Sequence, residues 1–243
     1  VFVASESDHY RSRLSHTLEV TQISRHIARM LSLNEDLAEA VALAHDLGHT
    51  PFGHAGEREL NKLMLSYGGF EHNKQSLRIV DLLESKYPGF PGINLTLEVR
   101  AGLIKKKNEL DESEQELKYQ TLEAQVCDIA DEIAYNHHDL DDGLAASILD
   151  EGELASEVDI WIEMRKKLLS QHPNLDSTHI KSLVLSSLIA SQISDVKRTT
   201  VNNIKTLGIQ TLDDLQHINE PVVSFSEEMK AKKVLMHCFT GKL

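Results

Sequence analysis

Apolar residues recur at helical spacing along almost all of this 243-residue chain, and only 5 prolines and 12 glycines punctuate them. No run alternates as a strand would, so the pattern predicts an all-α protein. The periodicity places helices over 14–33, 35–47, 54–67, 72–86, 95–107, 117–138, 157–170, 178–207 and 227–239. Turns are predicted at Leu47-Gly48-His49-Thr50-Pro51, at Tyr67-Gly68-Gly69 and at Tyr87-Pro88-Gly89-Phe90-Pro91-Gly92, where glycine and proline stop helices for steric reasons.

Composition narrows the classes. Apolar residues at 41% and charged residues at 26% are ordinary values for a packed domain. No stretch approaches the roughly 20 apolar residues of a membrane span. A net charge of −13, from 25 basic and 38 acidic residues, disfavours a surface that binds nucleic acid non-specifically. It does not disfavour a phosphorylated small molecule, since a metal and a few arginines make a site locally positive. Cys127 and Cys238 form neither a metal-type pair nor a disulfide framework, which suits a reducing cytoplasm. The charged stretch 105–116 reads as an exposed loop or helix end. Because the chain opens on Val1 rather than Met, residues are expected upstream.

The chemistry lies in polar residues placed on apolar helix faces. His16 is in register with Val20, Ile23, Ile27 and Met30, and His45 with Leu37, Val41 and Ala44. A buried imidazole needs a partner, at a cost on the order of 1–3 kcal/mol without one. Asp46 directly follows His45, and an acid beside a core-facing histidine suggests a cation between them. A further carboxylate comes from the helix over 117–138, where Ala124, Cys127, Asp131, Ala134 and His138 share a stripe; Asp128, one turn earlier, is the alternative. Two imidazoles and two carboxylates suit Fe, Mn, Zn or Ni better than a metal that prefers thiolates.

Other candidates surround this set. Gly48 and Pro51 break the helix after the His45-Asp46 pair, which turns His49 and His54 back toward it. His54 and Glu57 are spaced i, i+3, so the carboxylate can orient the imidazole for proton transfer; an N-terminal helix cap is the competing reading. Arg13, one turn before His16, is placed to fork onto a phosphate, and Arg11 and Lys197-Arg198 have weaker claims. Tyr135, four residues after Asp131, reads on its own as a core tyrosine.

Three segments, Arg13-Leu14-Ser15-His16-Thr17-Leu18-Glu19-Val20, the string from Ala44-His45-Asp46 through Thr50-Pro51-Phe52-Gly53-His54-Ala55-Gly56-Glu57, and Asp128-Ile129-Ala130-Asp131-Glu132-Ile133-Ala134-Tyr135-Asn136-His137-His138-Asp139, closely resemble the HD-domain deoxynucleoside triphosphate triphosphohydrolases, the bacterial dGTPase group. The resemblance is good over 8–143 and looser beyond. It implies an HD-type helical fold with additional C-terminal helices, and a reaction in which water splits a dNTP into deoxynucleoside and tripolyphosphate. It assigns His16, His45, Asp46 and Asp131 to a divalent metal (Mn, Mg, Fe, Ni or Zn), with Tyr135 against the sugar and Asp139 on a sugar hydroxyl. It also assigns His49 and His72 to phosphate, although a surface histidine at a helix start is an equal reading of His72. His54, with Glu57, is assigned to proton transfer to the leaving 5′ oxygen. A homo-oligomer, commonly a hexamer, a second dNTP as activator and single-stranded DNA as a regulator also follow from the resemblance.

The domain expectation is an HD metal-binding core over 1–150 and a helical C-terminal extension over 151–243 packing on it. Two rival functions share the ligands. One is a different HD nucleotide phosphohydrolase, a phosphomonoesterase or phosphodiesterase. The other is a non-catalytic HD module that binds nucleotide or single-stranded DNA.

Overall fold

The computed structural model describes residues 12–104, 120–218 and 220–240. The charged stretch 105–116 and Arg11 lie outside the described residues, apart from which the all-α expectation holds: eleven α-helices and no strand occur among those described. They are α1 (Arg13–Leu31), α2 (Glu35–Ala44), α3 (Gly53–Leu63), α4 (His72–Arg78), α5 (Leu97–Gly102), α6 (Leu122–Ala145), α7 (Glu151–Glu157), α8 (Asp159–Gln171), α9 (Ser177–Leu207), α10 (Leu212–Gln216) and α11 (Glu227–Thr240). No helix among these residues is long and apolar enough to cross a membrane.

The chain gathers into two compact units that interleave along the sequence. One draws on Val1–Ile23, Ile129–Gly208 and Val222–Leu243, the other on Ser24–Asp128 and Ile209–Pro221.

In the unit built on Ser24–Asp128, α2 is fixed at its start by Asn34, whose side-chain oxygen accepts from the Asp36 and Leu37 amides at 3.1 Å each. The Asn34 amide in turn donates to Glu123 of α6 at 3.0 Å, which ties the cap to a second helix. Asn34→Ala removes two bonds from amides that otherwise have no helical partner, so it should cost about 1 kcal/mol, measured by urea unfolding. Val41, Ala42 and Ala44 of α2 are buried, and α5 packs on this face so closely that a Cβ on Gly102 would stand 2.7 Å from Val41 Cγ2. Leu77, Val80, Ala101, Leu103 and Ile104 complete a core with Ala44. The predicted helix over 72–86 is α4 followed by a π-helical segment, Ile79–Leu83, where Arg100 pairs with both oxygens of Asp81 at 2.8–3.2 Å.

The other unit is organised by α9. Asp176 caps its start by accepting from the His179 amide at 3.0 Å, and Gly208 ends it in the left-handed region at φ +66°. The buried residues Leu154, Ile160, Trp161, Ile180, Val184 and Leu188 join α7, α8 and α9. Asp195 of α9, also buried, accepts from the Ser226 amide and hydroxyl at 2.8 Å each and so anchors the start of α11. Lys233 of α11 is buried over the Phe225 ring and pairs with Glu132 of α6; burial pushes its ammonium below the usual lysine range against that pairing.

Candidate metal centre

His45 and Asp46 follow the last turn of α2, where the chain tightens through two successive turns, Leu47 N to Ala44 O and His49 N to Asp46 O, at 3.3 Å each. His45 is 4% exposed, and its Nδ1 lies 2.7 Å from the Ala42 carbonyl. A carbonyl only accepts, so Nδ1 carries the proton and Nε2 keeps the lone pair that a metal needs. Nε2 stands 3.5 Å from Asp46 Oδ1, and the same oxygen is 3.3 Å from His49 Nε2.

The turn is held against α4 by Gly48, whose amide donates to Ser76 Oγ at 2.9 Å. α3 then begins at Phe52 and Gly53, both left-handed at φ +65° and +52°. Glu57, one turn into α3, holds two histidines on its two oxygens. Oε1 accepts from the His72 amide at 2.9 Å and lies 2.7 Å from His72 Nδ1, while Oε2 lies 3.2 Å from His54 Nδ1. His49 stacks on His72 with ring centroids 4.0 Å apart, and the His54 ring stands edge-on to both.

Partial burial works to raise the Glu57 carboxyl, but the His72 amide and the two imidazoles outweigh it and bring the pKa from 4.5 to about 2. A folded-state value below the unfolded one gives stability that is present above pH 4.5 and is lost as pH falls toward 2. Unfolding free energy measured over this window should therefore fall more steeply in the parent protein than in Glu57→Gln.

In the other unit, His16 Nε2 lies 3.1 Å from Asp131 Oδ1. Asp128, the alternative to Asp131 and the last residue of the Ser24–Asp128 segment, takes a hydrogen bond of 2.5 Å from Gln120 Nε2. Tyr135 and Asp139 follow Asp131 at i+4 and i+8 along α6, and their side chains are hydrogen-bonded. Burial and the Asp139 carboxylate push the Tyr135 phenol up, and burial pushes Asp139 up against that hydrogen bond. Arg13 opens α1 and is exposed.

Three neighbours of His16 have no role in the sequence reading. His16 Nδ1 lies 3.3 Å from His138 Nδ1, His138 Nε2 is bonded closely to Glu19 Oε2, and His137 Nδ1 is 3.3 Å from Glu19 Oε1. Burial would raise the Glu19 carboxyl, but the two histidines outweigh it and hold it well below the usual carboxylate range. The signal was faint: His138 shares a stripe with Asp131, and Glu19 follows His16 by three residues.

Within each unit the donors present suit an N/O-bound divalent ion. Two ligands each about 2.0–2.2 Å from one ion stand about 3 Å apart, close to the His16–Asp131 separation of 3.1 Å. His45 presents an unprotonated Nε2 next to an acid, with its ring orientation fixed by a backbone carbonyl.

Comparison with known proteins identifies the family of the chain. The HD domain family matches residues 13–136. A deoxyguanosinetriphosphate triphosphohydrolase-like protein of Geobacter sulfurreducens is 48% identical over 238 residues, covering 96% of this chain and 62% of the relative. Proteins of the same description from Thiobacillus denitrificans and Bartonella quintana are 46% and 44% identical, covering 98% and 94% of this chain and 66% and 62% of their own lengths. The chain thus spans less than two thirds of these relatives. The matched segment holds His16, the His45-Asp46 pair, the Glu57 histidines and Asp131, and this chain belongs to the HD-domain family.

Proposed function

We propose that this chain carries a metal-dependent phosphohydrolase that splits a dGTP-like deoxynucleoside triphosphate into deoxynucleoside and intact tripolyphosphate. The observation that supports it most is the Glu57 carboxylate bonded to both His54 and His72. Breaking the bond to the 5′ oxygen requires a proton for a poor leaving group, and an imidazole oriented by an ionised carboxylate supplies one. The His54 side chain is 73% exposed, so it can exchange that proton with solvent.

His16, His45, Asp46 and Asp131 are the proposed ligands of a divalent ion, which when bound polarises a phosphoryl oxygen and acidifies water. Mn, Mg, Fe, Ni and Zn all accept this donor set. His49 and His72 would hold phosphate oxygens, with Arg13 forking onto the same anion. Tyr135 would pack against C2′ of the sugar, and Asp139 would accept from a sugar hydroxyl. Similarity over nearly all of this chain to deoxyguanosinetriphosphate triphosphohydrolase-like proteins supports the substrate class.

The test is product analysis. Purified protein with Mn or Mg is incubated with dGTP, alone and with a second dNTP, and the products are resolved by phosphorus NMR. Deoxyguanosine and tripolyphosphate in equal amounts are expected. Release of orthophosphate or pyrophosphate overturns the triphosphohydrolase reading in favour of a different HD phosphohydrolase.

A further inference from the structure

The contacts among Glu19, His138 and His16 form a chain that the proposed ligand set does not use. An ionised carboxylate only accepts, so the His138 Nε2 bonded to Glu19 Oε2 carries a proton and donates it. In a neutral His138 the lone pair is then on Nδ1, 3.3 Å from Nδ1 of His16. Two ring nitrogens bond to one another only when one of them bears hydrogen, which places the proton on His16 Nδ1. The lone pair of His16 is thereby left on Nε2, 3.1 Å from Asp131 Oδ1, once an ion rather than a proton joins those two atoms.

The chain is also shielded. The His138 side chain is 8% exposed and that of Glu19 21%, which limits competition from water. His137 Nδ1 stands 3.3 Å from the second carboxylate oxygen of Glu19. His45 reaches the same ring form by another device, the Ala42 carbonyl on its Nδ1. For His16 the accepting group is a side chain, which mutation can remove.

We propose that Glu19 and His138 are positioning residues that fix His16 as its Nδ1–H form and so direct its Nε2 lone pair to the ion. This rests on the reading of His16 as a metal ligand. Outer partners of metal-bound histidines act this way in general, and their loss typically weakens metal binding by about 10–100-fold.

Two measurements test it without relying on activity. Long-range proton–nitrogen correlation of the protein loaded with diamagnetic Zn2+ reports which nitrogens of His16 and His138 carry hydrogen, and Mn2+ titration reports affinity. The parent protein should show His16 protonated on Nδ1. Glu19→Leu and His138→Phe should show a mixture of ring forms and bind Mn2+ about 10–100-fold more weakly. Glu19→Gln keeps an accepting oxygen and should lose less. If the first two variants do not fold, the parent protein and Glu19→Gln carry the test.

Finding His16 protonated on Nε2 in the parent protein overturns the inference. So do unchanged ring form and Mn2+ affinity in folded Glu19→Leu and His138→Phe while His16→Ala loses the ion. A second Mn2+ per chain that disappears with Glu19→Leu also overturns it, by making Glu19, His137 and His138 a metal site of their own. If His16→Ala still binds Mn2+ as the parent does, the ligand reading itself is what has failed.

Discussion

Asp46→Ala is expected to lower metal-dependent dGTP hydrolysis by on the order of 10³-fold in kcat/KM, since it removes a proposed ligand and with it the charge stabilisation that the ion supplies. Stability should move the other way, or not at all. Asp46 lies just past the C-terminal end of α2, where a negative charge opposes the helix dipole, and the last carbonyls gain nothing from an acid. A carboxylate there is unfavourable to the helix dipole, and the His45 and His49 nitrogens 3.5 and 3.3 Å from it offset that cost. Thermal unfolding in a chelator should give Asp46→Ala a Tm equal to or above that of the parent, and added Mn2+ should raise the Tm of the parent alone. A variant that is equally active, or that is inactive because it is unfolded in chelator, contradicts this.

Gly48→Ala is expected to be among the more damaging single methyl additions at the described glycines. A Cβ at this position would stand 2.0 Å from the His72 carbonyl oxygen and 2.5 Å from the Ser76 amide. Both are backbone atoms of α4, so no side-chain rotation relieves the clash. The turn must lift off the helix, which breaks the Gly48–Ser76 hydrogen bond and carries His72 away from Glu57. Overpacking of this kind costs about 1–3 kcal/mol or more. Urea unfolding should show this loss, and hydrolysis should fall with it. Gly89→Ala is the control, because nothing lies within 4 Å of its added Cβ and its backbone is not left-handed; it should be neutral.

The long helices were legible because burial follows their period. Val20, Ile23 and Ile27 of α1 and Val41 and Ala44 of α2 are buried in the register that placed His16 and His45. The end of α6 was misjudged at His138. The helix runs on to Ala145, with Leu140 and Leu144 buried on the same face as Ile133. α7 and α10 were missed, since helices of 7 and 5 residues are too short to show a period. Their caps were the available signal: Asp150 accepts from the Glu153 amide at 2.9 Å, and Thr211 with Asp214 forms a capping box. The π-helical turn at Ile79–Leu83 leaves no mark on composition and depends on contacts such as Ile93 N to Val80 O at 2.8 Å.

The candidate site was legible where partners are close in sequence, as for His54 with Glu57 and Tyr135 with Asp139. Glu19 escaped notice for the opposite reason. On α1 alone it is one more charged residue, and its partners His137 and His138 are more than a hundred positions away. Periodicity reports which face of a helix is buried, not which distant side chain meets it.

The ligand set is tested most directly by anomalous diffraction at the manganese edge from crystals grown with Mn2+. One peak per chain, with His16, His45, Asp46 and Asp131 bonded to it at about 2.0–2.3 Å, is the expected result. A peak held instead by Glu19, His137 and His138, or an ion bonded to Asp128 in place of Asp131, contradicts it.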